Sequence, residues 1–306
     1  MSFWGLRQPL LRIFWFFLIL LALNGCSGSI SPTQTAAIDL PSSTPAAELQ
    51  MATSTTVLAT THTPELCNRQ TGQIIDASVP SKLLFAPIAL KIYLPPCYSK
   101  NSTLRYPVLY MLHGQTYTND QWVRIGITAS ADKLIGDKRI DPMIIVMPNE
   151  DSSMTDPSTS KFGDAVVSEV IPWVDANLNT CAVRDCRAIG GLSRGGNWAV
   201  RIGLSNWQLF AAIGAHSTPL FFGDLSRIGN WVREAPAGED VPVLYVDYGK
   251  SDENRKEIAQ FNEELDRLGV VHDFSQFIGF HEEKYWSAHV EDYLRWYSVH
   301  LSTGTQ

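Results

Sequence analysis

The sequence predicts an α/β domain with a mostly parallel central sheet, helices on both faces and an antiparallel N-terminal edge. Three observations predict it. Short apolar runs alternate with helix-spaced segments from Cys67 onward. Several of those runs are apolar at nearly every position, as strands buried on both faces are. The first two strand-like segments read as a hairpin. With 306 residues, 45% of them hydrophobic and 18% charged, the chain can bury a sizeable core.

The elements follow in order. Residues 74–79 and 87–94 are the opening strands, the second alternating through "ALKIYL". The runs at 106–112 ("YPVLYML") and 143–147 ("MIIVM") are buried strands. Between Gly163 and Leu178, Val166, Val167, Val170, Ile171 and Val174 recur at helical spacing. Strand 187–192 comes next, then a helix from about Gly195 to Leu204 and the strand "FAAIGAH". A looser stretch, 217–240, precedes the strand "VPVLYVDY". An amphipathic helix over 254–268 stops at Gly269. The strand "HDFSQFIGF" and a final helix over 283–301 complete one domain, residues 67–303.

What precedes the domain reads differently. Arg7 and Arg12 form a positive start, and residues 13–23 are an unbroken apolar run ending Leu23-Asn24-Gly25-Cys26. Eleven apolar residues suit a signal peptide better than a membrane span. Residues 1–25 are therefore expected to be a lipoprotein-type signal, with Cys26 as the lipid attachment site. A plain secretory signal, or an uncleaved anchor over 10–23, is the alternative. From 27 to 66, 25 of 40 residues are Ser, Thr, Pro or Ala and none is Lys or Arg. Such a segment cannot offset its ordering entropy, so 26–66 is expected to be a disordered tether. As a coil it would span about 35 Å. The expected location is the bacterial cell envelope, outside the cytoplasm, with membrane contact through lipid chains.

Charge excludes one class of partner. Without the signal the chain carries 22 basic and 31 acidic residues, and no basic run is present. A polyanion such as nucleic acid would be repelled. Four further cysteines, Cys67, Cys97, Cys181 and Cys186, suit disulfides in an exported chain. Proximity favours Cys181–Cys186, which leaves Cys67–Cys97. Zinc is the rival reading, but the spacing lacks a CxxC pair or nearby histidines.

The chemistry is concentrated in "AIGGLSRGGNWA". Gly191-Leu192-Ser193-Arg194-Gly195 is G-x-S-x-G, placed where a predicted strand turns into a predicted helix. Small residues two before and two after the serine let strand and helix approach, leaving an exposed hydroxyl at the helix N-terminus. A glycine-rich phosphate turn would need other spacings. In such an elbow the partners follow in the order Ser, acid, His. His281 is the candidate base, since it lies in a loop just past a strand end. His272 is at the strand's start, and His289 and His300 lie within the last helix. Asp252, in the loop after "VPVLYVDY", is the candidate acid. Asp247 is the alternative, and an N-cap role for Asp252 is also open. Oxyanion donors would be the backbone amides of Arg194 and of Gln115, beside Gly114. Trp122, Trp198 and Trp231 could line a pocket or fill the core.

Together "YPVLYMLHGQ", "GGLSRGGNWAV", "DYGKSDE" and "GFHEEKYWSAHVEDYLRWY" resemble the signature blocks of the putative-esterase group of α/β-hydrolases. That group includes feruloyl, acetyl-xylan and enterochelin esterases, S-formylglutathione hydrolase and mycolyltransferases. The resemblance covers roughly residues 85–300 and departs at Phe280, where relatives have a second glycine. It implies an α/β-hydrolase fold with nucleophile Ser193, acid Asp252, base His281, oxyanion amides at Gln115 and Arg194, and no cofactor or metal. The expected partner is a small-molecule or carbohydrate-linked ester, such as a feruloyl ester or a siderophore lactone. An acyltransferase of the mycolyltransferase type and a non-catalytic binding module are the rival expectations.

Overall fold

The computed structural model describes residues 67–235 and 241–305. The expected signal, Cys26 and the tether lie outside the described residues. Eight strands form the central sheet: β1 (Gln73–Val79), β2 (Ile88–Leu94), β3 (Val108–Leu112), β4 (Ile144–Pro148), β5 (Arg187–Leu192), β6 (Ala212–His216), β7 (Val243–Gly249) and β8 (His272–Phe277). Their order is β1-β2-β4-β3-β5-β6-β7-β8. β2 runs antiparallel to both β1 and β4, and every pairing from β4 to β8 is parallel.

Alternation along the strands divides the core in two. Val108, Tyr110 and Leu112 of β3 face one layer, with Leu109 and Met111 facing the other. The first layer is covered by α3 (Phe162–Ala165), α4 (Ile171–Asn177), α5 (Arg194–Ser205), α6 (Leu225–Glu234) and α7 (Arg255–Leu268). The second is covered by α1 (Gln121–Arg124), α2 (Ile127–Gly136) and α8 (Glu283–His300). Strands β3 to β6 are thus buried on both faces, which is why their sequences are apolar at nearly every position, whereas β8 at the sheet edge, HDFSQF, is only partly covered.

Three local features depart from the expectations. The helix expected over 163–178 is interrupted by a π turn at Val166–Val170, just before Pro172. Proline lacks an N–H and its ring crowds the carbonyl one turn back, so a widened turn accommodates it. The stretch after β3 forms α1 and α2, which bury Trp122, Ile127, Ala131 and Leu134. Within the looser stretch, α6 folds and buries Ile228.

Cys67 is bonded to Cys97 and Cys181 to Cys186, with Cα separations of 5.6 and 5.7 Å. Gly304–Thr305 pairs with Leu104–Arg105 in a separate two-stranded ribbon. Among the described residues no helix is long and apolar enough to cross a membrane. No group of three or more His, Cys, Asp or Glu residues there could hold a metal ion.

The chain steps one way from β3 to β4 and the other way from β5 onward. The crevice beyond the carboxyl ends of β3 and β5 is therefore the switch point at which open α/β sheets bind ligands.

Candidate active site

β5 runs straight into α5, and the residue between them is Ser193, with φ 52° and ψ −120°. Such a backbone is disfavoured for a side chain of this kind and persists only where neighbours enforce it. The enforcement is visible. Ser193 N–H donates to the His216 carbonyl at 2.9 Å, and the Ser193 carbonyl accepts the Asn197 N–H at 3.1 Å. A Cβ on Gly191 would come within 2.3 Å of the Gly195 carbonyl carbon, and one on Gly195 within 2.1 Å of the Leu112 oxygen. Only glycines let the strand, the helix and β3 converge so closely.

His281 follows β8. Its Nε2 lies 2.9 Å from Ser193 Oγ, and its Nδ1 lies 2.9 Å from Asp252 Oδ2. Asp252 is fully buried, and its other oxygen accepts the Asn254 N–H at 2.8 Å. That second bond fixes the carboxylate plane. With Nδ1–H donating to Asp252, Nε2 presents its lone pair to the serine hydroxyl. The Asn254 amide, 3.3 Å from Nδ1, then packs against the ring nitrogen without a proton acceptor there. The N-cap position of α7 belongs to Asn254, not to Asp252.

The acid and base loops are tied by their backbones. Ser251 N–H donates to the Gly279 carbonyl at 2.9 Å, and Lys250 N–H to the Phe277 carbonyl at 2.7 Å. A Cβ on Gly249 would strike the Gly279 oxygen at 2.4 Å. Trp286 and the imidazole meet in a T-shaped arrangement, with centroids 5.1 Å apart and ring planes at 86°.

Asp247 belongs to a different network. Its buried carboxylate accepts from Tyr285 and Tyr293 hydroxyls at 2.6 and 2.9 Å and contacts His216 Nδ1 at 2.7 Å. His216 Nε2 meets the Tyr297 hydroxyl at 3.1 Å. Burial, then the adjacent Asp247 charge, push the Tyr285, Tyr293 and Tyr297 hydroxyls well above the usual phenol range, so they remain donors. Asp247 is thus held in that network, and the carboxylate that meets His281 is Asp252.

On the other side of Ser193 lies the loop 113–117. His113 Nδ1–H donates to the Gly114 carbonyl at 2.8 Å, and His113 Nε2 accepts the Glu150 N–H at 2.9 Å. Burial holds its pKa below the ordinary histidine value, which keeps Nε2 an acceptor. His113 joins two loops and touches neither Ser193 nor His281. Arg194 opens α5, so its backbone N–H has no partner in the preceding turn of that helix. Its guanidinium forms a buried pair with Glu150 and donates to the Thr155 carbonyl at 3.0 Å.

A cleft of about 580 Å³ opens over this arrangement, lined by Gln115, Tyr117, Ser193, His281, Lys284 and Trp286 among others. Another, of about 410 Å³, lies beside Trp198 and Arg201 and does not reach Ser193. Trp122 and Trp198 are core side chains, and Trp231 packs against the core. Glu150 and Asn254 are not legible as site residues in the sequence. Glu150 carried one usable signal, a carboxylate just past the end of an apolar strand.

The arrangement can deliver an activated hydroxyl to an electrophilic centre bound over Ser193. The model of the family described as "Putative esterase" matches residues 81–297. Esterase Rv1288 of Mycobacterium tuberculosis (strain ATCC 25618 / H37Rv) is 29% identical over 160 residues, 50% of this chain and 34% of the relative. The endo-1,4-beta-xylanase/feruloyl esterase of Xylanibacter ruminicola is 33% identical over 129 residues, 39% of this chain and 18% of the relative. The chain thus spans about a third or less of the length of these curated relatives. Among solved structures, a ferulic acid esterase superposes with TM-score 0.67 at 24% identity, covering 76% of this chain and 99% of its own. S-formylglutathione hydrolase from Staphylococcus aureus gives TM-score 0.63 at 21% identity, covering 76% and 99%. These two likenesses bear on the fold.

Proposed function

We propose, from the premise that the chain belongs to the putative-esterase family of α/β-hydrolases, that it is a serine carboxylic-ester hydrolase working through Ser193, His281 and Asp252. The carrying observation is the unbroken contact from Ser193 Oγ through His281 to Asp252, 2.9 Å at each step. Ser193 Oγ attacks the ester carbonyl as His281 Nε2 takes its proton. Asp252 holds the ring in that tautomer and stabilises the imidazolium. The backbone N–H groups of Gln115 and Arg194 receive the developing oxyanion. The tetrahedral intermediate collapses, its C–O bond breaks, and His281 returns the proton to the leaving alcohol. Water, activated by the same imidazole, attacks the acyl-enzyme and frees the acid and Ser193.

The substrate class we favour is an acyl or hydroxycinnamoyl ester of a carbohydrate. Support comes from the relatives named feruloyl or ferulic acid esterase and from an open cleft with Tyr117 and Trp286 in its lining. We further propose that Cys26 is lipidated and that the enzyme works outside the cytoplasm, held by the tether 26–66.

The test is hydrolysis of feruloyl, acetyl-sugar, siderophore and short-chain nitrophenyl esters by the purified protein. One class should turn over, and Ser193→Ala and His281→Ala should each lower kcat by about 10⁶-fold, since the residues act as a unit. A fluorophosphonate should label the wild type at Ser193. Turnover that survives in Ser193→Ala would refute the mechanism.

A further inference from the structure

Gln121 has no part in the hydrolytic scheme, yet its side chain is fully buried beside the loop that carries Gln115. Both ends of its carboxamide are used. Oε1 accepts the Gly114 N–H at 2.8 Å, and Nε2 donates to Glu283 Oε1 at 3.1 Å. Glu283 opens α8, directly after the loop that holds His281, and Arg124 donates to it at 2.9 and 3.1 Å. One buried carboxamide therefore joins the Gly114–Gln115 loop to the helix that follows the candidate base.

The direction of the carboxamide is fixed by its partners. An N–H must meet the oxygen and a carboxylate must meet the NH₂, so a flipped amide would lose both bonds. Its effect on the loop follows from the peptide planes. Gly114 lacks a Cβ and would otherwise rotate freely. The plane before it is pinned through the Gly114 N–H by Gln121. The plane after it is pinned through the Gly114 carbonyl, which accepts from His113 Nδ1 at 2.8 Å and from the Tyr117 N–H at 3.3 Å. That second plane carries the Gln115 N–H. With both planes held, the amide is presented in one orientation, as preorganised oxyanion stabilisation demands.

We propose that Gln121 is a positioning residue for the Gln115 amide, coupled through Glu283 to the helix that follows His281. The proposal rests on the hydrolytic reading above. An interaction of this sort matters more in the transition state than in the ground state. Its loss should lower kcat and leave KM nearly unchanged.

The experiment uses the purified protein, its best ester substrate and a trifluoromethyl ketone, which adds to a serine to give an oxyanion adduct. Gln121→Met keeps the volume and removes both hydrogen bonds. Its kcat should fall on the order of tenfold, less than deletion of an oxyanion donor, and the ketone should bind more weakly by a similar factor. KM should move less than about twofold, since uniform binding is untouched. Gln121→Asn keeps an amide but is one methylene too short to hold Gly114 and Glu283 at once, so its kcat and ketone affinity should fall in the same direction. Wild-type kcat and ketone affinity in a folded Gln121→Met protein would overturn the proposal and leave the hydrolytic reading intact. Should Gln121→Met not fold, Gln121→Asn decides, and a folded Gln121→Asn protein with wild-type kcat and ketone affinity overturns it. A wild type that neither hydrolyses esters nor binds the ketone at Ser193 would instead overturn the hydrolytic reading.

Discussion

The carboxylate of Asp247 lies 2.7 Å from His216 Nδ1, a second acid–imidazole contact beside the one between Asp252 and His281. The two differ in what else they touch. Asp247 and His216 are sealed among Tyr285, Tyr293 and Tyr297, whereas His281 reaches Ser193 and the open cleft.

Asparagine at the two positions should therefore separate stability from activity. Asp252→Asn should lower kcat by about 10⁴-fold, since an imidazole in the wrong tautomer is a poor base. Its unfolding midpoint should move little. Asp247→Asn leaves at least one buried donor without an acceptor, at a cost of about 1–3 kcal/mol. Urea unfolding and steady-state kinetics of both variants check this. A larger kinetic loss for Asp247→Asn than for Asp252→Asn would exchange their roles.

The pair between Arg194 and Glu150 carries a stability prediction. Both side chains are buried, with Arg194 Nη2 2.6 Å from Glu150 Oε1 and Arg194 Nε 2.8 Å from Glu150 Oε2. Arg194→Met strands the Glu150 charge in the interior, at a cost of about 3–5 kcal/mol. Adding Glu150→Met removes that stranded charge, and the double variant should regain part of the loss. Denaturation midpoints of the three proteins form the cycle. A single-variant loss below about 1 kcal/mol would match an exposed pair, contrary to the burial seen here.

How much of the site is legible in the sequence depends on the kind of interaction. Ser193, His281 and Asp252 come together where chain order put them, because each follows a strand and the parallel sheet gathers strand ends on one edge. Gly191 and Gly195 could be read locally, since the clash they avoid involves near neighbours and β3. Position in the loop puts Asp252 ahead of Asp247, but only their partners separate the two fully. The choice rests on tyrosines of α8, distant in sequence. Gln121 gave no signal at all, because a glutamine ahead of a tryptophan looks like any helix start. α1 and α2 escaped notice since Gly126, at φ 101°, breaks their apolar spacing in two. The π turn ahead of Pro172 leaves the apolar pattern intact and so was invisible to periodicity.

The anchor can be tested apart from the chemistry. If Cys26 is lipidated, cells producing the wild type should incorporate labelled fatty acid into the protein and hold it in the membrane fraction. Cys26→Ala should shift it to the soluble or precursor pool while hydrolysis by the folded domain continues. A wild type that takes up no fatty acid would leave the plain secretory signal, or the uncleaved anchor, as the reading.

Stability should also depend on pH through His113. Burial lowers its pKa in the folded protein, whereas in the unfolded chain it titrates near the ordinary value of about 6.5. Above that value both states hold a neutral ring and the residue contributes no pH dependence. Below it the unfolded chain takes up a proton that the folded chain refuses. Stability must then fall as the pH drops, by at most about 1.4 kcal/mol per pH unit for one group, until the folded pKa is reached. His300 is shifted the same way by burial and adds to the slope. Carboxylates held low, such as Asp120 and Glu291, lose their contribution only in more acidic solution, so pH 7 to 5 isolates the imidazoles. Glu150 N–H donates to His113 Nε2, and protonation there would break the link between the two loops flanking Ser193. His113→Gln offers that N–H another acceptor with no proton to gain, so its stability should decline less steeply. Urea midpoints at pH 7, 6 and 5 measure both slopes, and equal slopes would remove His113 from the account.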